Sequence, residues 1–192
     1  GLGQQDFNNT NSTFLSDVWE YDPLLDSWTE KASLPDSARS NASCFVINNQ
    51  AYIVGGITDY PTTASNDLWM YDPSTNLWTT KQSYPADYIY SSMSFAIGSN
   101  GYTVGGRVKL PTSAIGVTSK ATWQYNPTNN NWAAKADYCD TLGRESGVAF
   151  VLNNKAFVGL GMSTLPTVTY YYKEFCVYDT TDVWSPTVSF SG

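Results

Sequence analysis

Apolar positions along this chain fall in short runs separated by polar turns. NASCFVI (41–47), SMSFAI (92–97) and GVAFVL (147–152) are one kind of run. After a polar turn such as Asn48–Asn49–Gln50 or Asn153–Asn154, each leads into a second kind: AYIVGG (51–56), GYTVGG (101–106) and AFVGLG (156–161). A third element is DVWEYDPLLDSW (17–28), which returns as DLWMYDPSTNLW (67–78), ATWQYNPTNNNW (121–132) and EFCVYDTTDVW (174–184). Runs this short, rich in aromatic and β-branched residues, predict strands. The recurring tyrosines are Tyr21, Tyr71, Tyr125 and Tyr178, with Trp28, Trp78, Trp132 and Trp184 following them. Each period of about 50 residues therefore holds four strands, a to d, with an Asp-Pro or Asn-Pro turn between c and d. Strand c is apolar on both faces, with Leu68 and Met70 on one and Trp69 and Tyr71 on the other. That pattern predicts a sheet covered on both sides.

The glycine pair, the tyrosine and the tryptophan, in that order and three times over, resemble the kelch repeat family. The segments GLG, DVWEYDP, SWTEKASLP and AFVGLG are similar to kelch-repeat proteins that bacteria export. The resemblance extends over essentially the whole chain. It implies an all-β, partial kelch-type β-propeller of about three and a half four-stranded blades. The expected units are an incomplete blade at 1–35 (strands c and d) and blades at 36–85, 86–138 and 139–192. Gly1-Leu2-Gly3 matches Gly159-Leu160-Gly161, the end of strand b, so the chain is expected to start in mid-blade. Three arrangements accommodate this: a piece of a longer chain, one member of a multi-chain ring, or a four-bladed ring whose first blade is completed from elsewhere. The pattern departs at Asn126 (Asp in the other copies), at Thr180 (Pro elsewhere) and at Cys176, which stands where Trp19, Trp69 and Trp123 stand. Cys176 is expected to fill a smaller gap in the same core position.

Alternating strand directions put the b–c and d–a connections on one face. The b–c loops are long (4–16, 57–66, 107–120 and 162–173), and long loops on a rigid scaffold are where binding residues concentrate. The resemblance implies that the start of each innermost strand borders the central pocket. Arg39 and Arg144 then lie near the channel mouth, with Ser40, Tyr88, Tyr90 and Glu145 close by. An arginine there holds a carboxylate of an acidic peptide or sugar, or else bonds carbonyls and Asp side chains of a neighbouring blade. The Trp and Tyr residues repeated in every blade read as packing elements. Non-repeating aromatics are the better ligand candidates. The expected ligand set is Arg39, Ser40, Tyr60, Tyr88, Tyr90, Arg107, Arg144, Glu145, Tyr170 and Tyr171.

Composition narrows the functions. The 192 residues carry a formal charge of −7 and no histidine. A His-ligated metal site and a His base are excluded from this sequence. An acidic chain with three arginines is a poor partner for nucleic acid or an anionic membrane. No apolar run approaches the length of a spanning helix. There is no Gly-x-Ser-x-Gly, no P-loop and no Ca²⁺-loop pattern, so no catalytic constellation, metal or other cofactor is expected. Cys44, Cys139 and Cys176 are odd in number and lack metal spacing. Cys44 and Cys176 are expected as buried thiols, Cys139 as a free one, with no disulfide. Asn8, Asn11 and Asn41 fit the glycosylation pattern. Ser, Thr and Asn make up nearly a third of the chain, which together with the acidic balance and the family likeness points outside the cell. The expected function is a non-catalytic extracellular or cell-surface module that binds or adheres to protein or glycan. Two alternatives stand beside it: a structural subunit whose ring another chain completes, and part of a carbohydrate-active kelch-type enzyme with its catalytic residues elsewhere.

Overall fold

The computed structural model describes residues 2–5, 13–59, 63–109 and 116–187. In chain order the strands are β1 (Gly3–Gln5), β2 (Thr13–Leu15), β3 (Val18–Asp22), β4 (Ser27–Lys31), β5 (Ser43–Ile47), β6 (Gln50–Asp59), β7 (Thr63–Asp72), β8 (Leu77–Lys81), β9 (Tyr88–Tyr90), β10 (Met93–Ile97), β11 (Asn100–Val104), β12 (Arg107–Lys109), β13 (Val117–Thr118), β14 (Thr122–Asn126), β15 (Asn131–Lys135), β16 (Val148–Leu152), β17 (Lys155–Gly159), β18 (Met162–Thr164), β19 (Thr169–Tyr171), β20 (Phe175–Tyr178) and β21 (Trp184–Pro186). Three antiparallel four-stranded sheets follow sequence order: β5-β6-β7-β8, β10-β11-β14-β15 and β16-β17-β20-β21. β3 and β4 form a two-stranded sheet. No helix occurs among the described residues.

The recurring residues hold the blades together. Tyr71, Tyr125 and Tyr178 are buried, and each phenol donates to an Asx side chain at the end of its c–d turn: Asn76, Asn130 and Asp182, at 2.8 Å in each case. Those Asx residues have positive φ, which Asn and Asp adopt most readily after glycine. Their oxygens also accept a backbone N–H from the preceding blade, at Ala32, Gln82 and Ala136. The following tryptophan donates its indole N–H back across the same joint, Trp78 to the Ala32 carbonyl (2.8 Å), Trp132 to Gln82 (2.9 Å) and Trp184 to Ala136 (3.0 Å). Asn126 can replace Asp in the turn because its amide oxygen accepts the Thr128 N–H, as Asp72 accepts that of Ser74.

At the inner edge β5, β10 and β16 lie side by side. The Ser91 N–H donates to the Asn41 carbonyl and the Ser146 N–H to the Ser91 carbonyl, a backbone chain from blade to blade. Phe45 and Phe95 are buried against the aromatics of the following blade, Tyr125 and Tyr178 respectively. Phe150, the third member, is 50% exposed. A side chain on Gly55 would collide with the Ile89 carbonyl, and one on Gly105 with that of Arg144. Both glycines also have positive φ, so the glycine pair is required by backbone shape and by close approach of the next blade.

Two cysteine expectations are corrected. Cys139 and Cys176 form a disulfide, with Cα atoms 6.5 Å apart. The cystine ties the d–a segment to strand β20, and Cys176 is buried in the core as expected, but as half of a disulfide and not as a thiol. Cys44 is an exposed free thiol, since no described strand covers its side of β5. It lines an apolar gap, and the partial loss of water there pushes its thiol pKa up.

Candidate functional site

In their described residues the b–c connections are paired ribbons. β1 pairs with β2, the outer parts of β6 and β7 pair through Gly56–Ser65, Ile57–Ala64 and Asp59–Thr63, β12 pairs with β13, and β18 pairs with β19. The d–a segments join them: β9 pairs with β12, Ser40 bridges Ile57, and Glu145 bridges Met162. Both kinds of connection therefore share one face of the propeller, as expected.

A cleft of about 720 Å³ opens among these ribbons. One wall is Ile57, Thr63 and Ala64, another is Thr164, Leu165 and Pro166, and the floor is the three-stranded sheet β13-β12-β9. The floor follows from strand alternation. Register pairs Arg107 with Tyr90 and Thr118, and Lys109 with Tyr88. These five side chains share a face and all line the cleft. Ile89 and Val108, on the opposite face, are buried in the core. The Tyr88 and Tyr90 rings form a stacked pair, with centroids 5.8 Å apart at an interplanar angle of 29°. The Tyr88 hydroxyl occupies the space a side chain on Gly116 would need.

The charges on this floor are loosely paired. Arg107 Nη1 is 3.5 Å from Glu145 Oε1, and Lys109 Nζ is 4.0 Å from Asp87 Oδ2. Glu145 is buried beside Arg107 and also accepts the Thr118 hydroxyl (3.3 Å). Thr118 Oγ1 in turn accepts the Thr164 N–H (3.3 Å), which links two ribbons. Arg107 and Lys109 keep 29% and 38% of their side chains exposed, so both cations remain available to a ligand.

The structure brings together Tyr88, Tyr90, Arg107 and Glu145 from the expected ligand set. It removes the other two arginines. Arg39 is fully buried and saturated within its own blade. It donates to both carboxylate oxygens of Asp67 (2.5 and 2.9 Å), to the Gly55 and Ser37 carbonyls, and to Asp36 at 3.5 Å. Burial pulls the Asp67 carboxyl pKa up. Bonds from Arg39, Ser65 and Trp69 and the Arg39 charge outweigh that and hold it below the ordinary carboxylate value. Arg144 is also buried. It donates to Asp140 (2.6 Å) and the Glu174 carbonyl (3.1 Å), and its guanidinium lies between the rings of Tyr172 (4.0 Å) and Tyr138 (5.1 Å). Burial pushes the Tyr138 phenol to about 12. Both arginines are framework: Arg39 is enclosed by acceptors of its own blade, and Arg144 by Asp140, the Glu174 carbonyl and the rings of Tyr138 and Tyr172.

Ser40 is buried at its bridge and does not reach the cleft. Tyr170 and Tyr171 are exposed on β19, outside the cleft lining. Asn41 is exposed, but its side chain donates to Ser91 Oγ (3.2 Å) at a blade joint. Tyr60, Asn8 and Asn11 lie outside the described residues. Lys109, Thr118 and Gly116 were missed by sequence reasoning, although Lys109 lies two residues from Arg107 and alternation puts it on the same strand face.

The sheet order and repeat define a kelch-type β-propeller fold. The kelch motif matches residues 38–83. Among solved structures the fold is similar to one titled "Structure of YjhT", with a TM-score of 0.75 at 13% identity. That match covers 91% of this chain and 53% of that one, so the chain spans about half the length of the solved chain it resembles. At this identity the likeness speaks for the fold alone. No curated protein matches the chain significantly.

Proposed function

We propose that the chain is a non-catalytic binding or adhesion module outside the cell, and that its ribbon face holds an acidic glycan. The observation that carries this is the cleft floor, where a stacked tyrosine pair lies beside two exposed cations. Tyrosine rings offer an apolar body with a polar tip to a sugar ring. Arg107 and Lys109 offer charge-assisted hydrogen bonds to a carboxylate. Their present partners are 3.5 and 4.0 Å away, and loose surface pairs of this kind are worth little, so a ligand carboxylate exchanges for them readily. The Cys139–Cys176 disulfide and the acidic, Ser/Thr/Asn-rich composition support an oxidising, extracytoplasmic setting.

The test is calorimetric titration with an oligogalacturonate and with a neutral oligosaccharide of the same length. Saturable binding of the acidic sugar alone is expected. Arg107→Met and Lys109→Met should each weaken it about tenfold, the scale of one lost charge-assisted bond. Equal binding of the neutral sugar refutes the reading. So does binding of an acidic peptide in place of the sugar.

A further inference from the structure

The cleft floor carries the same unit twice. Antiparallel register sets Tyr90 directly across from Arg107, and Tyr88 directly across from Lys109. Each row is a tyrosine, a cation and a carboxylate of the protein held loosely by that cation. In the first row Glu145 stands 3.5 Å from Arg107 and also accepts the hydroxyl of Thr118, which pairs with Arg107 on its other side. In the second row Asp87 stands 4.0 Å from Lys109, and its backbone N–H donates to the Lys109 carbonyl (2.9 Å). The rows lie two residues apart along β12, a step of about 7 Å in an extended strand. The phenol rings keep a similar step, with centroids 5.8 Å apart. Both rows open into one cleft of about 720 Å³, a volume that encloses a drug-sized ligand, larger than a single sugar ring.

We infer that this duplication selects a chain with at least two consecutive acidic units over a single acidic sugar. One carboxylate takes Arg107 beside Tyr90, and the next takes Lys109 beside Tyr88. The inference rests on the acidic-glycan reading above and adds to it the number and spacing of the charges. A ligand with one carboxylate engages one row and leaves the other cation on its protein partner. A ligand with two replaces the loose partner at both rows, and the second contact forms within a molecule already held, without a second loss of translational freedom. The two rows differ in how they yield. Asp87 is exposed and can turn into water, whereas Glu145 is buried. Arg107 can keep Glu145 on one nitrogen and turn other donors of its fork to the ligand.

The test is a titration, by calorimetry, with three probes: galacturonate, digalacturonate, and digalacturonate with one carboxyl reduced to a primary alcohol. The reduced dimer keeps both rings and removes one charge, so it separates the second carboxylate from added ring contact. We expect digalacturonate to bind at least about tenfold more tightly than the monomer, and the half-reduced dimer to stay within about threefold of the monomer. In Arg107→Met and in Lys109→Met, each with one row left, the advantage of the dimer over the monomer should fall below about threefold. Both residues are partly exposed, and an unchanged thermal midpoint checks that the variants are folded. Equal affinity for monomer and dimer overturns the inference and leaves the acidic-glycan reading standing. So does a half-reduced dimer that binds as tightly as the full one, or a tenfold dimer advantage that survives in either variant. Failure of all three probes to bind overturns both.

Discussion

Arg39→Met tests the reassignment of the buried arginines to the framework. The substitution keeps most of the aliphatic volume and removes the guanidinium. It deletes two bonds to Asp67, bonds to the Gly55 and Ser37 carbonyls, and a longer contact to Asp36. The Asp67 carboxylate would remain, about four-fifths buried, since 21% of its side chain is exposed. Breaking a buried pair by removing one partner costs about 3–5 kcal/mol, and partial exposure of Asp67 puts the expectation near the lower end, at about 3 kcal/mol. In a domain of this size that corresponds to a Tm lower by about 6–12 °C. Adding Asp67→Asn should recover part of the loss, because no uncompensated charge is then buried. Urea denaturation of the single and double variants measures both effects. Any acidic-glycan affinity should be unchanged in the folded protein. A cost below about 1 kcal/mol combined with lost ligand binding would return Arg39 to the ligand site and refute this account.

The same pair sets an acid limit. The folded-state pKa of Asp67 is depressed, so its contribution is fully present above the unfolded value near 3.9 and is lost as pH falls through the folded value. Asp67→Asn should therefore flatten the pH dependence of stability below about pH 4, read from urea midpoints across pH. Changing both Cys139 and Cys176 to Ser opens a loop of sequence separation 37 and should cost about 3–4 kcal/mol by chain entropy. Gly55→Ala meets the Ile89 carbonyl and should cost more than about 2 kcal/mol. Gly98→Ala, also at positive φ but in open space, should cost only about 1 kcal/mol. Equal costs at the two glycines would refute the close-approach explanation.

The blade architecture was legible because its determinants are local and repeated. Tyr71 and Asn76, or Tyr125 and Asn130, carry their joint within five residues of sequence, and the glycine pair marks the passage of the next blade. The burial of Arg39 was not legible, because its partner Asp67 stands 28 positions away and only folding brings them together. The Cys139–Cys176 bond links a d–a segment to a c strand across 37 positions, a spacing with no signature. Half of the cleft floor was visible in Tyr88, Tyr90 and Arg107. Lys109, Thr118 and Gly116 join them only through the pairing of β12 with β9 and β13.

The most direct measurement is hydrogen exchange of the protein with and without a saturating oligogalacturonate. The account predicts slower exchange in β9, β12 and β13, which carry the tyrosine pair, the two cations and Thr118. Protection confined to the exposed Tyr170–Tyr171 edge, or to the c–d turns on the opposite face, would contradict it.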